Sequence, residues 1–243
     1  MKVPVSLSTA AAVAFVLLCA RPAPAGTRES ETLETACEVL DAFVAIPLKG
    51  IPPALLRDAQ GIAIIPNVIK AGFVLGGRHG HGVVLSRDPA GIWSKPVFVT
   101  ITGGGVGWQV GIQSTDVILV FKPRNSVDKM LKGQGKMTLG ADVAVAAGPL
   151  GRQAEAGTDG GLNAEIFSYS RSRGLFLGLS LEGAALLADT AATDAYYRTP
   201  TAPTPVPLPP PDERLRMKLA ALSAPLLPPP PPPVVAPAVP IPR

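Results

Sequence analysis

Two histidines, two serines and a few arginines are the residues of this chain whose types and spacing could do chemistry. His79 and His81 stand at i, i+2. On a strand they would share a face, as two imidazole ligands of one metal must. The chain has no other histidine, and no carboxylate is adjacent, so a glycine-rich bend with exposed imidazoles fits better and no metal is expected. Ser168 and Ser170 invite a nucleophile reading, but a serine nucleophile needs a base that a third group orients. Only the two histidines could serve, and neither serine sits in a nucleophile elbow. No catalytic residues and no enzyme activity are expected. Gly103-Gly104-Gly105 lacks the Lys and Ser/Thr of a phosphate loop and opens no helix. It reads as a tight turn or a bulge between strands.

The arginines are more informative. Arg171 and Arg173, at i, i+2, flank an expected hairpin turn at 171–174 and can point the same way. Guanidinium groups match phosphate oxygens bidentately. Arg78, Lys95 and Arg152 each lie beside glycine or proline, where the backbone turns. These five are the candidate phosphate contacts, weighed against ordinary solvated charges or internal ion-pair partners. Trp108 alternates with Val106 and Val110 and reads as core. Trp93 precedes Lys95-Pro96 in a turn and is the candidate for a membrane edge.

The elements that must position these groups follow from periodicity. Leu33, Cys37, Leu40 and Val44 recur at helical spacing, predicting a helix over 28–46 with an acidic opposite face of Glu29, Glu31, Glu34, Glu38 and Asp41. Pro52-Pro53 opens a short helix through Ala59. From Gly61 to Leu181 the period is mostly two, as in strands. Strands are expected at 62–65, 72–86, 97–102, 106–113, 117–121, 137–145, 162–171 and 175–181. Val117 to Phe121 is apolar throughout, so both its faces should be covered. Asn125 begins a short helix whose apolar side is Val127, Met130 and Leu131. Short turns argue for an antiparallel sheet, and many strand glycines argue that it bends sharply or closes.

Composition bounds the rest. Of 243 residues, 28 are proline and 25 glycine. Seventeen of the prolines fall in the last 45 residues and all but one glycine between Gly50 and Gly183. One glycine-rich folded body followed by a Pro-rich tail accounts for this. Residues 1–25 read as a secretory signal: Met1-Lys2, an apolar run from Leu7 to Ala20, and Ala23-Pro24-Ala25 as cleavage site. A lipoprotein anchored through Cys19 is the less favoured alternative, because Leu18 is larger than such signals carry before the cysteine. Net charge is +4, too mild for a nucleic-acid binder. With Cys19 removed, Cys37 has no intrachain disulfide partner. The tail, 199–243, is expected to be disordered, with a polyproline run at 228–233. Only Asp212 to Ser223 within it has helical spacing, through Leu215, Leu219 and Leu222.

Six stretches in order carry a resemblance: Gly91-Ile92-Trp93-Ser94-Lys95-Pro96; Gly103-Gly104-Gly105-Val106-Gly107-Trp108-Gln109-Val110-Gly111; Ala146-Ala147-Gly148-Pro149-Leu150-Gly151-Arg152; Ser168-Tyr169-Ser170-Arg171-Ser172-Arg173-Gly174-Leu175-Phe176; Leu181-Glu182-Gly183; and Tyr196-Tyr197. Over about residues 30–197 the chain resembles the SYLF domain family, the lipid-binding SYLF or Ysc84-type actin-binding domains, and is most similar in type to its exported bacterial members. The resemblance implies a non-enzymatic module that binds phospholipid. Eukaryotic members act at membranes through phosphoinositides, and some bind actin. For an exported member a generic anionic phospholipid is the implied ligand.

The resulting expectation is an α+β fold: a strongly bent, barrel-like antiparallel sheet with an N-terminal helix and short connecting helices, spanning 26–198. Its expected function is binding anionic phospholipid in the cell envelope or periplasm, with no cofactor and no nucleic-acid partner. The alternative is a structural or protein-interaction module of the envelope that uses its Pro-rich tail as spacer or as ligand for a protein partner.

Overall fold

The computed structural model describes residues 27–46, 50–72, 75–106, 111–132, 135–148, 164–172, 181, 183–198 and 209–224. Helix α1 is Thr27–Val44 and α2 is Pro53–Asp58. Four long strands follow: β1 Gly61–Gly72, β2 Leu75–Ser86, β3 Val97–Val106 and β4 Gly111–Phe121, then α3 Arg124–Lys132. The chain continues through β5 Lys136–Thr138, β6 Val145–Ala147, β7 Ile166–Ser172, β8 Ala185–Ala188, α4 Thr190–Arg198 and α5 Pro211–Leu222. No helix among the described residues is long and apolar enough to cross a membrane.

The eight strands form one sheet in the order β5-β8-β3-β2-β1-β4-β7-β6. The α+β class and the strong bend are as expected: the sheet curls into a half-barrel. All pairings are antiparallel except β6 with β7, which is parallel and corrects the expectation of a purely antiparallel sheet. The outermost strands, β5 and β6, are neighbours in sequence. Residues 139–144 join them, so the two edges lie within about 25 Å of each other at that point. Leu139 and Val143 form a bridge across this link.

Strand alternation sorts the apolar residues into two cores. Ala63, Ile65, Val84, Ile101, Leu119 and Ile166 pack with Met137, Leu139 and Val143 from near the two sheet edges. A cluster that contains both edges and the centre lies inside the curl, and Val127 and Met130 of α3 join it. Ile62, Ile64, Val83, Leu85, Ile118, Val120, Phe167 and Tyr169 point the other way, under α1, α2, α4 and α5. Val117 to Phe121 is buried on both faces, as its unbroken apolar run requires.

Helix α1 buries Leu33, Cys37 and Leu40 as its spacing predicts, with Ala36, Val39 and Phe43 as well. Val44, expected in the stripe, is 38% exposed. The buried face is broad because α1 is gripped twice, by the sheet and by α5. Cys37 is a free, buried thiol, and burial pushes its pKa up.

Four expectations are corrected. The triglycine is neither turn nor bulge: Gly103 to Gly105 lie in β3, paired with Arg78, Gly77 and Gly76. The single strand expected over 137–145 is two short ones, because Thr138 to Val143 forms a turn with Gly140 at φ 87°. Arg171 lies within β7 and not in a turn. The boundary at Arg198 falls too early. Within the supposed tail α5 packs on α1, burying Leu215 and Leu219. Lys218 Nζ reaches Asp41 at 2.6 Å and Arg214 reaches Glu34 at 3.3 Å. The acidic face of α1 thus has a basic partner helix. The strand expected at 175–181 lies outside the described residues, apart from Leu181, as do the polyproline run and the leader.

Candidate functional site

The central strands β3-β2-β1-β4 run past the helices, and a bulge marks where they do so. The register of β1 slips between Ile64 and Ile69 against β2, and between Ile65 and Val68 against β4. Pro66 has no N–H to give the ladder. Asn67 adopts φ 49°, a left-handed conformation that asparagine tolerates better than most residues. Its N–H donates to Asp116 Oδ1 at 3.1 Å. Strand β2 crosses this bulge closely: a Cβ on Gly82 would lie 2.3 Å from the Ile64 carbonyl oxygen.

Beyond the bulge the two faces of the sheet diverge in chemistry. The outer face, free of helix cover among the described residues, carries Ile69, Ala71, His79, Thr102 and Ile112. Ile69 pairs with His79 and Ala71 with Ile112, so these residues are cross-strand neighbours. Ile112 is 82% and Ile69 51% exposed, high for large apolar groups. The inner face carries Lys70 opposite Arg78, two cations in register, with Gln113 and Gly103 beside them. Partial burial lowers the Arg78 pKa. This sheet end combines exposed apolar groups with paired cations at the same level of the strands.

The sequence candidates do not converge on one site. Arg78 is at this sheet end. Lys95 is exposed just before β3, at the opposite end of the sheet, with Nζ 5.1 Å from the Tyr197 ring centroid. Arg171 is on the outer face of β7, where it donates to Asp116 Oδ2 at 3.2 Å and lies 5.9 Å from the Phe43 ring centroid. Asp116 is 2% exposed, so this is the internal ion-pair alternative. Arg173, Arg152 and Trp108 lie outside the described residues. Trp93, the candidate membrane edge, is buried at 3% exposure. Its indole N–H donates to Ser223 Oγ at 3.0 Å, and its carbonyl accepts from Arg216 Nε at 3.1 Å. The correction has one cause: α5 and the residue after it cover the turn that the sequence leaves open.

Sequence reasoning missed Asp116, Lys70, Ile69 and Ile112. Asp116 had a signal, a lone carboxylate at the head of a wholly apolar run. Ile112 had one too, an apolar residue between Gly111 and Gln113, but its alternation read equally as core.

Among the described residues, β1 to β4 thus end beyond the helices in a stretch of sheet that is apolar on one face and cationic on the other. Residues 102–206 match the family described as "Ysc84: Las17-binding protein actin regulator". The chain is 43% identical over 150 residues to LAS seventeen-binding protein 3 of Saccharomyces cerevisiae, covering 60% of this chain and 32% of that protein. It is 40% identical over 167 residues to SH3 domain-containing YSC84-like protein 1 of Xenopus laevis, covering 67% and 49%. Protein YSC84 of Saccharomyces cerevisiae is 43% identical over 150 residues, covering 60% and 31%. The chain spans about a third to a half of the length of these relatives. No solved structure gives a significant match. The chain belongs to the Ysc84, or SYLF, domain family.

Proposed function

We propose that this chain is a non-enzymatic module that binds anionic phospholipid surfaces, after export to the cell envelope, through the helix-free end of β1 to β4. The observation that carries the reading is the placement of exposed Ile69 and Ile112 at the same level of the strands as Lys70 and Arg78. Apolar groups of this kind enter the headgroup boundary, while each cation near an anionic surface contributes about 1 kcal/mol. The relatives' names support binding over catalysis, since one is named for binding LAS seventeen.

Co-sedimentation of the full chain with phosphatidylglycerol vesicles tests it. I69D/I112D should lower binding at least tenfold with an unchanged melting temperature, because both side chains already face solvent. K70A should lower it several-fold. Raising salt should weaken wild-type binding, because screening shortens the reach of the cations. Wild-type affinity in a folded I69D/I112D variant would refute this surface. The second reading, an interaction module working through its Pro-rich tail, is favoured by the Las17-binding description of the family. It predicts that a chain ending at Ala224 loses its partner while keeping its lipid binding.

A further inference from the structure

The two histidines set aside on sequence grounds are brought together by the fold. Both stand on the outer face of β2, His79 exposed and His81 half-buried beside the first turns of α1. Their Nε2 atoms are 3.0 Å apart, and the rings meet at 84° with centroids 4.7 Å apart. If both Nε2 lone pairs converged on one ion at ~2.05 Å, a 3.0 Å separation would correspond to an N–metal–N angle of about 94°. The same construction, with an imidazole radius of ~1.16 Å, places the ring centroids about 4.7 Å apart. A collinear Nε2–H to Nε2 hydrogen bond would place them at about 5.3 Å. The rings therefore match convergence on a common point better than a head-on hydrogen bond.

His81 Nδ1 lies 3.2 Å from Thr100 Oγ1. As a donor to that hydroxyl, Nδ1–H leaves Nε2 as the free lone pair and fixes the ring plane, the role such outer partners play for metal-bound histidine. Arg28, Glu29 and Asp189 are the charged residues that line the same small cavity as His81.

We propose that His79 and His81 form a two-point chelate for a divalent transition metal of square-planar or octahedral preference, such as Cu²⁺ or Ni²⁺, with water in the remaining positions. The near-right angle favours these ions over tetrahedral Zn²⁺, whose ligands at about 109° would put the nitrogens ~3.3 Å apart. This goes beyond lipid binding and does not depend on it.

Titrate the full chain with CuCl₂ at pH 7.5 against glycine as competitor, and count equatorial imidazoles by pulsed electron paramagnetic resonance. The expected result is one tight Cu²⁺ per chain with two imidazoles. H79A should leave one imidazole and weaken binding about tenfold or more, since the second contact of a chelate forms at high effective concentration. H79A/H81A should remove the signal. The exposure of His79 predicts that H79A melts with the wild type, which checks the fold separately. Binding of equal strength in H79A/H81A, a single imidazole in the wild type, or no tight Cu²⁺ would each overturn the proposal. Failure of vesicle binding in the same preparations would leave it untouched.

Discussion

Asp116 is a buried carboxylate held by two donors, the Asn67 N–H and the Arg171 guanidinium. The two partners are unequal in their exposure: Arg171's side chain is 40% exposed and Asp116's 2%. Removing the arginine leaves a charge inside the fold with one donor, whereas removing the carboxylate leaves an arginine that water can reach. R171A is therefore expected to cost about 1–3 kcal/mol, the range for uncovering a buried charged partner, lowered here because the pair is half open to solvent. Adding D116N should restore much of that, because a neutral amide needs no counter-ion and its oxygen still accepts from Asn67. Urea denaturation of R171A and R171A/D116N measures both. Vesicle binding should change little in either. A large loss of lipid affinity in a stable R171A would return Arg171 to the site.

At the scale of elements, the half-barrel depends on how closely β2 passes over the bulge of β1. Gly82 has no room for a side chain: a Cβ there meets the Ile64 carbonyl oxygen at 2.3 Å and the Ile65 Cα at 2.7 Å. Backbone atoms of a central strand cannot give way cheaply, and overpacking of this kind costs about 1–3 kcal/mol or more. Gly77, five residues along the same strand, meets nothing closer than 4.0 Å. G82A should lower the melting temperature by several degrees and G77A by little or nothing, since alanine suits a strand at least as well as glycine. Equal melts for the two would mean that β1 and β2 can part at the bulge without loss. The contrast also separates two uses of glycine in this chain. Some glycines permit close passage, and others leave a strand face bare.

At the scale of the whole molecule, α5 closes the outer core. It covers Trp93, buries Leu215 and Leu219 against α1, and brings Arg214 and Lys218 to Glu34 and Asp41. These surface ion pairs are worth little individually. The buried leucines and the tryptophan carry the contact, since full burial of such a side chain is worth about 1.5–3 kcal/mol. A chain ending at Arg198 should melt well below the full chain, and one ending at Ala224 should melt with it. Differential scanning calorimetry on the three lengths decides the boundary. Equal melts for all three would restore the earlier limit of the folded body.

Much of this architecture was legible in residue order alone. Strand-like runs placed the first part of β1, most of β2, β3 and β7 and the last part of β4, helical spacing placed α1, and proline placed α2, because each pattern reflects which side chains one element must bury. The strand expected over 106–113 is instead the end of β3 and the start of β4, with 107–110 outside the described residues. The apolar run at Val117 foretold a strand covered on both faces. Even the register of Leu215, Leu219 and Leu222 was visible. Proline-rich surroundings concealed that this segment had something to pack against. Periodicity tells which face of an element is apolar and says nothing about what lies opposite it. Lys218 and Asp41 are 177 residues apart, and Trp93 and Ser223 are 130. Such pairings decided that Trp93 is core, that the acidic face of α1 has a partner, and that Arg171 serves Asp116. The same holds for the surface. Ile112 and Val120 are both apolar residues of β4, yet one is 82% exposed and the other fully buried. Only the position of the helices, which stop short of the sheet end, distinguishes them.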